Sequence, residues 1–322
     1  MAKMRYQQAL AKALHDQMAT DPSVCVLGED VGHSLRGVTR GLQAEFGPQR
    51  VLDTPLSEQA FTGFATGAAL SGMRPVVEYQ IPSLLYLAFE QIVNQAHKFH
   101  LMTGGQATVP VTYLVPGSGA RMGLAGQHSD NPYSMFVHAG VKTVVPASAD
   151  DAYGLLAAAI QDDDPVILFA PAAALGVRDE VPDEPFVVPI GAGRIRREGT
   201  DVTVLAVGHL VHEAMAMAED ISQTIAVEVF DPRTLYPMDW NLLLASVRKT
   251  RRLVVFDDSN LSCGFAAEIV ATVAEAVTCT ARPRRVTRAD CVIPFAPELE
   301  AGLLPARAQL ANAVEAVMEE RP

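Results

Sequence analysis

The sequence predicts an α/β protein with two domains, each built on a parallel or mixed sheet. Apolar, β-branched runs alternate with stretches of helical periodicity, and this alternation occurs twice along the 322 residues. Strands that are buried on both faces have near-continuous apolar sequences, and strands that alternate with helices form parallel sheets. A segment rich in proline, glycine and charge separates the two alternations. We therefore predict a domain at residues 1–176, a linker at 177–200 and a second domain at 201–322, with a single large sheet as the alternative.

The individual elements follow from the periodicity, taken in chain order. Helical periodicity over residues 5–20 ends before Asp21-Pro22, and an apolar run at 24–27 follows it and ends at Gly28. The rest of the first half alternates between helices at 57–72, 84–103 and 149–161 and strands near 75–79, 109–115, 141–145 and 165–170. The second half alternates between strands at 201–207, 225–230 and 252–257 and helices near 211–220, 239–248 and 264–278.

The composition argues against several classes of function. There are 25 basic and 37 acidic residues, giving a net charge of −12, whereas a nucleic-acid partner requires a basic surface. The four cysteines form no CxxC pair, which argues against a disulfide framework or structural zinc. The N-terminal sequence lacks the apolar core of a signal peptide, and no run of 18 apolar residues occurs. We therefore expect a cytoplasmic protein that binds neither nucleic acid nor a membrane.

Polar residues that follow strands mark the candidate site, because ligands of open α/β sheets bind beyond the carboxyl ends of the strands. This rule selects Glu29, Glu58 and the glycine-rich segment 123–130, which contains His128. A structural interpretation competes with the functional one. An acid in the first turn of a helix is stabilised by the helix dipole, and a lone loop histidine is commonly a hydrogen-bonding residue. The sequence has no P-loop, GxSxG or strand-linked GxGxxG motif, so the residues alone leave these interpretations open.

The predicted helix after Glu58 is rich in small residues. Gly63 and Gly67 lie four positions apart in it, although glycine costs up to ~1 kcal/mol in a helix interior. This spacing predicts close approach of another backbone, from the same chain or from a partner subunit.

Several segments, taken together, carry a family resemblance. They include LGEDVG at 27–32, RVLDTPLSE at 50–58 and GQHS at 126–129, with further matches at 41–47, 72–78, 91–94, 104–106, 162–166, 231–235, 253–255 and 293–296. Over nearly its whole length the chain resembles the beta subunit of thiamine-diphosphate-dependent 2-oxo acid dehydrogenases, of the pyruvate, branched-chain and acetoin type.

The resemblance implies a thiamine-diphosphate (pyrimidine-binding) domain followed by a transketolase C-terminal-like domain. It implies an α2β2 heterotetramer in which an alpha subunit holds the diphosphate and Mg²⁺. The acyl group of a small 2-oxo acid would pass to a lipoyl-bearing acyltransferase. Glu58 matches the glutamate that hydrogen-bonds to N1′ of the aminopyrimidine and so helps to activate the cofactor. His128 matches a histidine near the substrate, with a role in proton transfer or charge stabilisation.

Further residues are assigned by the same resemblance. Glu29, Leu84 and Tyr86 are expected on the cofactor side. A K⁺ ion is expected to bind the residues Val111, Ala159, Ile160, Asp162 and Asp164.

Some positions depart from the family pattern. Leu84 stands where an aromatic residue packs on the aminopyrimidine, with Tyr86 close by, and the loop after Gly32 is shorter than usual. The sequence APAAAL at residues 170–175 stands where the family pattern has an acidic segment. Two alternatives follow. The first is a transketolase-like paralogue that transfers a two-carbon unit from a ketose phosphate or 2-oxo acid to a carrier protein, such as an acyl carrier protein. The second is a non-catalytic scaffold subunit.

Overall fold

The computed structural model describes residues 1–119 and 123–320 and confirms the alternation of strands and helices. The strands are β1 (Ala2–Arg5), β2 (Val24–Gly28), β3 (Val51–Asp53), β4 (Arg74–Glu78), β5 (Thr112–Ser118), β6 (Lys142–Val144), β7 (Val166–Pro171), β8 (Arg178–Val181), β9 (Arg194–Arg197), β10 (Val202–Ala206), β11 (Val227–Asp231), β12 (Thr234–Tyr236), β13 (Leu253–Asn260) and β14 (Arg284–Arg288). The α-helices are α1 (Tyr6–Thr20), α2 (Leu42–Phe46), α3 (Glu58–Leu70), α4 (Leu85–Glu90), α5 (Phe99–Met102), α6 (Gly126–Ser129), α7 (Tyr133–Ala139), α8 (Ala149–Gln161), α9 (Leu210–Asp220), α10 (Trp240–Thr250), α11 (Phe265–Ala276), α12 (Pro297–Leu303) and α13 (Arg307–Glu319). A π-helix (Gln91–His97) and two 3-10 turns (Pro82–Leu84 and Ala172–Ala174) complete the described helical elements.

Two mainly parallel sheets organise these elements. The first has seven strands in the order β12-β6-β7-β5-β4-β2-β3, and the second has five in the order β14-β13-β10-β11-β9. Within residues 1–119 and 123–320, only the edge strands β12 and β9 run antiparallel to their neighbours in these two sheets. A separate antiparallel pair joins β1 to β8. The predicted α/β class with parallel or mixed sheets is confirmed, and the alternative of a single large sheet is wrong.

The central strands form because their sequences can be buried on both faces. Every residue of β2, β5, β7 and β10 is buried, as the continuous apolar runs predict. One apolar core includes side chains of both sheets, among them Tyr113 and Phe169 of the first and Phe230 and Val255 of the second. The two halves therefore share an interior.

The segment 177–200, predicted as a linker, contains two strands. Strand β8 pairs with the N-terminal strand β1, and β9 forms the edge of the second sheet beside β11. In return, β12 from the second half adds an edge strand to the first sheet by pairing with β6. The boundaries at 176 and 201 stay predictions, but the connection between the halves is built into both sheets.

A buried ion network joins the halves at this connection. Arg196 of β9 donates to Asp231 Oδ2 from Nε at 2.9 Å and from Nη2 at 2.7 Å, and it also donates to Asp151 of α8. The side chains of Asp151 and Asp231 are at most 1% exposed. Since buried charges are tolerated only when paired, Arg196 is the cation that both acids share, and Arg233 lies 3.5 Å from Asp151 as a second one.

Candidate active site at the carboxyl edge of the first sheet

Three acidic residues meet at one edge of the first sheet. Strands β2, β3 and β4 are parallel neighbours, and their register pairs Gly28 with Asp53 on one side and with Glu78 on the other. Glu29 follows β2, Glu78 ends β4, and Glu58 begins the helix that follows β3. All three are buried, with exposures of 8% for Glu29, 8% for Glu58 and 1% for Glu78. We call Glu29, Glu58 and Glu78 the acidic cluster.

Gly28 allows the two strand ends to lie this close together. Its φ is +153°, and a Cβ at this position would lie 2.4 Å from the carbonyl oxygen of Glu78. A side chain at residue 28 would therefore push β2 and β4 apart just before the acidic cluster.

The carboxyl group of Glu29 is adapted to hold a proton near neutral pH. Burial, followed by the nearby charges of Glu58 and Asp30, raises the pKa of Glu29 to about 7. Its Oε1 is buried and has no hydrogen-bond partner among the described residues. An unpartnered buried oxygen of this kind indicates a place where a ligand group completes the hydrogen bonding.

Glu78 is the most deeply buried member of the acidic cluster. Burial raises the pKa of Glu78 to about 8, although the charge of Arg36 opposes the shift. The amide of Gln80 donates from Nε2 to the backbone oxygen of Glu29 at 2.8 Å and to Glu78 Oε1 at 3.3 Å. Arg36 in turn donates from Nε to the backbone oxygen of Gln80 at 3.3 Å. Gln80 thereby joins two members of the acidic cluster.

Glu58 occupies the first turn of α3, where the positive end of the helix dipole stabilises a carboxylate. The hydroxyl of Thr62 donates to the backbone oxygen of Glu58 at 2.5 Å and lies 2.5 Å from the hydroxyl of Tyr79. The inner face of the helix is held by the buried side chains of Phe61 and Ala65 in the shared core. The start of α3, and with it Glu58, is therefore fixed to the sheet.

His128 lies on the short helix α6, beyond the end of β5. The residue is half-buried, and its Nδ1 is buried with no hydrogen-bond partner among the described residues. The hydroxyl of Ser83 donates to the backbone oxygen of Gln127, and the hydroxyl of Tyr86 donates to Asp130 Oδ2 at 2.5 Å. These contacts bring the Tyr86 helix, α4, against the turn that carries His128. Helix α4 also packs on α3, and so links His128 to the helix of Glu58.

Leu84 and Tyr86 have different surroundings. Leu84 is partly buried against the shared core, whereas Tyr86 lines a cleft of about 850 Å³ between the two halves. Gln127 and Asp130 line the same cleft, but its described lining includes neither Glu29 nor Glu58. The structure thus brings Tyr86 to the His128 turn, and its place on the cofactor side stays a prediction. Nothing in this arrangement tests whether Leu84 packs on an aminopyrimidine, so that assignment stays a prediction.

The residues predicted to bind K⁺ surround the turn between α8 and β7, and protein donors contact their oxygens. Lys142 lies 2.8 Å from Asp162 Oδ1 and 3.0 Å from Asp164 Oδ2. Arg74 donates from Nη1 to the backbone oxygens of Ile160 at 3.2 Å and Asp162 at 2.9 Å. The backbone oxygens of the other two residues accept from backbone N–H groups, Val111 from Val166 and Ala159 from Asp162. Two cations of the chain itself, Lys142 and Arg74, therefore lie against this acidic turn, and K⁺ binding at these residues stays a prediction.

The described residues contain neither a cluster of metal ligands nor a membrane-spanning helix. No cluster of three or more histidine, cysteine, aspartate or glutamate side chains with metal-binding geometry occurs in residues 1–119 and 123–320. In the same ranges, no helix combines the length and apolar character needed to cross a bilayer.

Glu78 and Gln80 are site residues that the sequence alone did not indicate, and Asp130 lay in the selected segment 123–130 without a role of its own. Glu78 ends a strand, so the strand-end rule that selected Glu29 could also have selected it. Gln80 and Asp130 acquire their importance from contacts with residues 51 and 158 positions away, and no local pattern reveals these contacts.

The acidic cluster fits a heteroaromatic ring that bears an amino group beside a ring nitrogen. Two of its carboxyl groups have raised pKa values, so they can hold a proton that a ring nitrogen accepts. Glu78 Oε2 and Gln80 Oε1 are buried acceptors without partners among the described residues, as is Glu29 Oε1, and an amino group could supply the missing donors. An aminopyrimidine has both features.

The fold and this site define a transketolase-like α/β protein with buried carboxyl groups at the edge of its first sheet. The family described as transketolase, pyrimidine binding domain, matches residues 2–177, and the family described as transketolase, C-terminal domain, matches residues 191–310. The chain belongs to this transketolase-type family, in the group that contains beta subunits of pyruvate dehydrogenase E1 components and of acetoin oxidoreductases.

Two relatives support this assignment, and one solved structure shares the fold. The chain is 40% identical over 316 residues to the beta subunit of acetoin:2,6-dichlorophenolindophenol oxidoreductase from Bacillus subtilis strain 168, covering 92% of each chain. It is 40% identical over 313 residues to the mitochondrial pyruvate dehydrogenase E1 component subunit beta-2 of Oryza sativa subsp. japonica, covering 94% of this chain and 83% of that one. A solved structure described as a split gene transketolase, inactive beta4 tetramer, shares the fold with a TM-score of 0.80 at 23% identity, covering 99% of each chain.

Proposed function

We propose that the chain is the beta subunit of a heteromeric thiamine-diphosphate-dependent 2-oxo acid dehydrogenase. With an alpha subunit it would decarboxylate a 2-oxo acid and pass the acyl group to a lipoyl-bearing acyltransferase, in the cytoplasm. The observation that carries the proposal is Glu58, a buried carboxyl group in the first turn of α3, beside Glu29. Thiamine diphosphate, when bound, supplies the electron sink for decarboxylation.

The acidic cluster would hold the aminopyrimidine. Glu58 shares a proton with the ring nitrogen N1′, and because the residue is only 8% exposed, little water competes for that proton. Glu29, with a pKa of about 7, keeps a second proton available beside Glu58 near neutral pH. Gln80 fixes the distance between Glu29 and Glu78 through its two hydrogen bonds.

His128 would act on the substrate side. Its imidazole is half-buried, and its Nδ1 has no partner among the described residues, so one ring nitrogen is available to a ligand. An imidazole has a donor and an acceptor nitrogen, which suits proton transfer or charge stabilisation during acyl transfer.

The alpha subunit would bind the outer face of α3, and we assign the diphosphate and Mg²⁺ to it. This face exposes large apolar side chains, with Phe64 60% exposed, Leu70 41% exposed and Leu56 just before the helix 81% exposed. A Cβ added at Gly67 would meet no atom within 4 Å, so no contact within the described chain accounts for this glycine. An α2β2 heterotetramer would cover these side chains and use Gly67 for close helix packing.

The test is reconstitution of the chain with its alpha subunit, thiamine diphosphate and Mg²⁺, with CO₂ release from 2-oxo acids as the readout. We expect Glu58→Ala to lower kcat by at least about 100-fold, because general acid–base groups contribute about 10²–10⁴-fold. Glu45→Ala, at an exposed site on α2, is the matched control and should keep the wild-type rate. Wild-type turnover by the Glu58→Ala complex would reject the role of Glu58.

The reconstituted complex also distinguishes the proposed dehydrogenase subunit from the two alternatives, a transketolase-like paralogue and a non-catalytic scaffold subunit. Activity with ketose phosphates instead of 2-oxo acids would identify a transketolase-like paralogue, which the departure at Leu84 favours. Failure to bind thiamine diphosphate in the presence of the alpha subunit would identify a scaffold. Turnover of 2-oxo acids alone removes both.

A further inference from the structure

Asp130 lies where three parts of the molecule meet. Its Oδ2 accepts a hydrogen bond from the Tyr86 hydroxyl at 2.5 Å, and its Oδ1 accepts from Arg288 Nη2 at 2.8 Å and from the backbone N–H of Asn131 at 2.8 Å. Tyr86 belongs to α4, Asp130 directly follows α6, and Arg288 ends β14 in the second half of the chain. One carboxyl group therefore connects two helices of the first half with a strand of the second.

Arg288 is itself held firmly in the second half. Its side chain is only 4% exposed, and it donates to Asn260 Oδ1 from Nε at 3.1 Å and from Nη2 at 2.8 Å. Burial disfavours the charged guanidinium, but the charges of Asp258 and Asp130 outweigh this effect and raise the pKa of Arg288. Arg288 is thus a fixed cation that draws Asp130 toward the second sheet.

The turn that Asp130 follows has little apolar anchorage of its own. Helix α6 has four residues, and of these only Ser129 is buried. Polar contacts must therefore set the position of the turn. Ser83 binds the backbone of Gln127 on one side of His128, and Asp130 is bound on the other.

The residues after Asp130 strengthen the same connection. Asn131 donates from Nδ2 to Asp258 Oδ2 at 3.0 Å, and the hydroxyl of Tyr133 donates to Asp257. Both acceptors belong to β13 of the second sheet. Movement of the His128 turn would accordingly require polar contacts between the halves to break.

We propose that Asp130 is a positioning residue which, with Arg288 and Tyr86, fixes the turn carrying His128 on the wall of the 850 Å³ cleft between the halves. The structural part of this inference concerns the turn alone. Its catalytic consequence rests on the proposed function, in which His128 serves acyl transfer.

The first experiment measures backbone hydrogen exchange over residues 125–131 in the full chain. Asp130→Asn preserves the shape of the side chain and removes its charge, while Arg288→Lys keeps the charge without the fork that reaches both Asp130 and Asn260. We expect exchange at least about tenfold faster in Asp130→Asn, and a smaller increase in Arg288→Lys and Tyr86→Phe. Asp183→Asn, at a carboxyl group that is 68% exposed, is the matched control and should exchange as the wild type does.

Exchange in Asp130→Asn equal to that in Asp183→Asn would overturn the proposal. If Asp130→Asn fails to fold, Tyr86→Phe removes only one hydroxyl from the same carboxyl group and provides the test. Unchanged exchange in this variant would then overturn the proposal.

The second experiment uses the complex with the alpha subunit. We expect Asp130→Asn to lower kcat for acyl transfer at least about tenfold while KM for the 2-oxo acid stays within about twofold, and Arg288→Lys to retain an intermediate rate. If kcat of Asp130→Asn falls only in proportion to the fraction of folded protein, the role of Asp130 is merely structural and the positioning role fails. His128→Asn separates the two proposals: if it keeps full turnover, the role of His128 fails, whereas the exchange result still decides the role of Asp130.

Discussion

Burial and the adjacent charge of Glu58 raise the pKa of Glu29 to about 7, which couples the two carboxyl groups at the edge of the first sheet. The charge of Glu58 opposes ionisation of Glu29, since like charges at close range repel each other. Glu29 therefore changes its charge within the physiological range, next to the residue proposed to act on the cofactor.

Glu29→Gln should change the pH profile of the enzyme. We expect kcat/KM of the wild-type complex to show a titration near pH 7 and the variant to lack it, because a glutamine cannot ionise. The measurement is kcat/KM from pH 5.5 to 9 in the reconstituted complex, with the exposed Glu45→Gln as control. A titration near pH 7 that persists unchanged in Glu29→Gln would assign that ionisation to another group.

Glu78→Gln should make stability less dependent on pH. The pKa of Glu78 in the folded chain is about 8, above its ordinary value of 4.5, so the folded state binds more protons between these values and loses stability as pH rises through them. We expect the Tm of the variant to match that of the wild type at pH 4.5 and to exceed it by several degrees at pH 8.5. Glu275→Gln, at an exposed position on α11, should show no such difference. A constant difference across this range would contradict the assignment.

The sequence predicted the central strands and long helices because their periodicity is local. Helix α8 was predicted at 149–161 and has these bounds. The predicted helix at 84–103 is wrong in detail: the structure divides it into α4, a π-helix and α5. The backbone N–H of Lys98 donates to the oxygen of Val93, five residues earlier, a wider spacing than an α-helix has. Side-chain periodicity cannot distinguish such a segment from a continuous helix.

Contacts between distant residues explain what the sequence did not predict. Edge strands β9 and β12 are only four and three residues long. Strand β9 is positioned by pairing with β11, beyond the linker, and β12 by pairing with β6 in the other half. The family resemblance identified Glu58 and His128, but Asp130 depends on Tyr86 and Arg288, which lie 44 and 158 positions away. No local signal connects these residues.

Arg196→Met should destabilise the chain strongly. The variant leaves Asp151 and Asp231 buried without their shared cation, and breaking a buried ion pair from one side costs about 3–5 kcal/mol. Urea unfolding should show this loss. The adjacent Arg197→Met is the matched control, because Arg197 pairs with Glu219, which is 74% exposed, and exposed pairs contribute about 1 kcal/mol or less. Equal losses in the two variants would show that the network adds no special stability.

Lys142→Met tests the predicted K⁺ site. The variant removes the ammonium group shared by Asp162 and Asp164 and leaves two carboxylates beside the backbone oxygens of the turn. We expect Tm to fall by a few degrees and to recover in part when KCl replaces choline chloride at constant ionic strength, while the wild type responds less. Lys98→Met, at a lysine bound to Asn94, controls for the loss of a lysine. Equal responses to K⁺ in the wild type and in Lys142→Met would contradict the idea that the lysine occupies this position in place of an ion.

Gly67→Leu should separate the folding of the chain from its assembly. Since a Cβ at residue 67 meets no atom within 4 Å, the side chain fits the isolated chain, and leucine favours the helix by up to about 1 kcal/mol relative to glycine. The proposed close packing against the alpha subunit has no room for a leucine side chain. We therefore expect Kd for the alpha subunit to rise at least about 100-fold while Tm of the isolated chain is unchanged or higher.

Sedimentation of mixed subunits measures the Kd of Gly67→Leu for the alpha subunit, and calorimetry measures the Tm of the isolated chain. Leu299→Glu, at a 63% exposed site on α12, tests whether any disturbed surface has this effect. Assembly of Gly67→Leu with wild-type affinity would remove α3 from the interface, because a leucine cannot be accommodated where two helices pack through glycine.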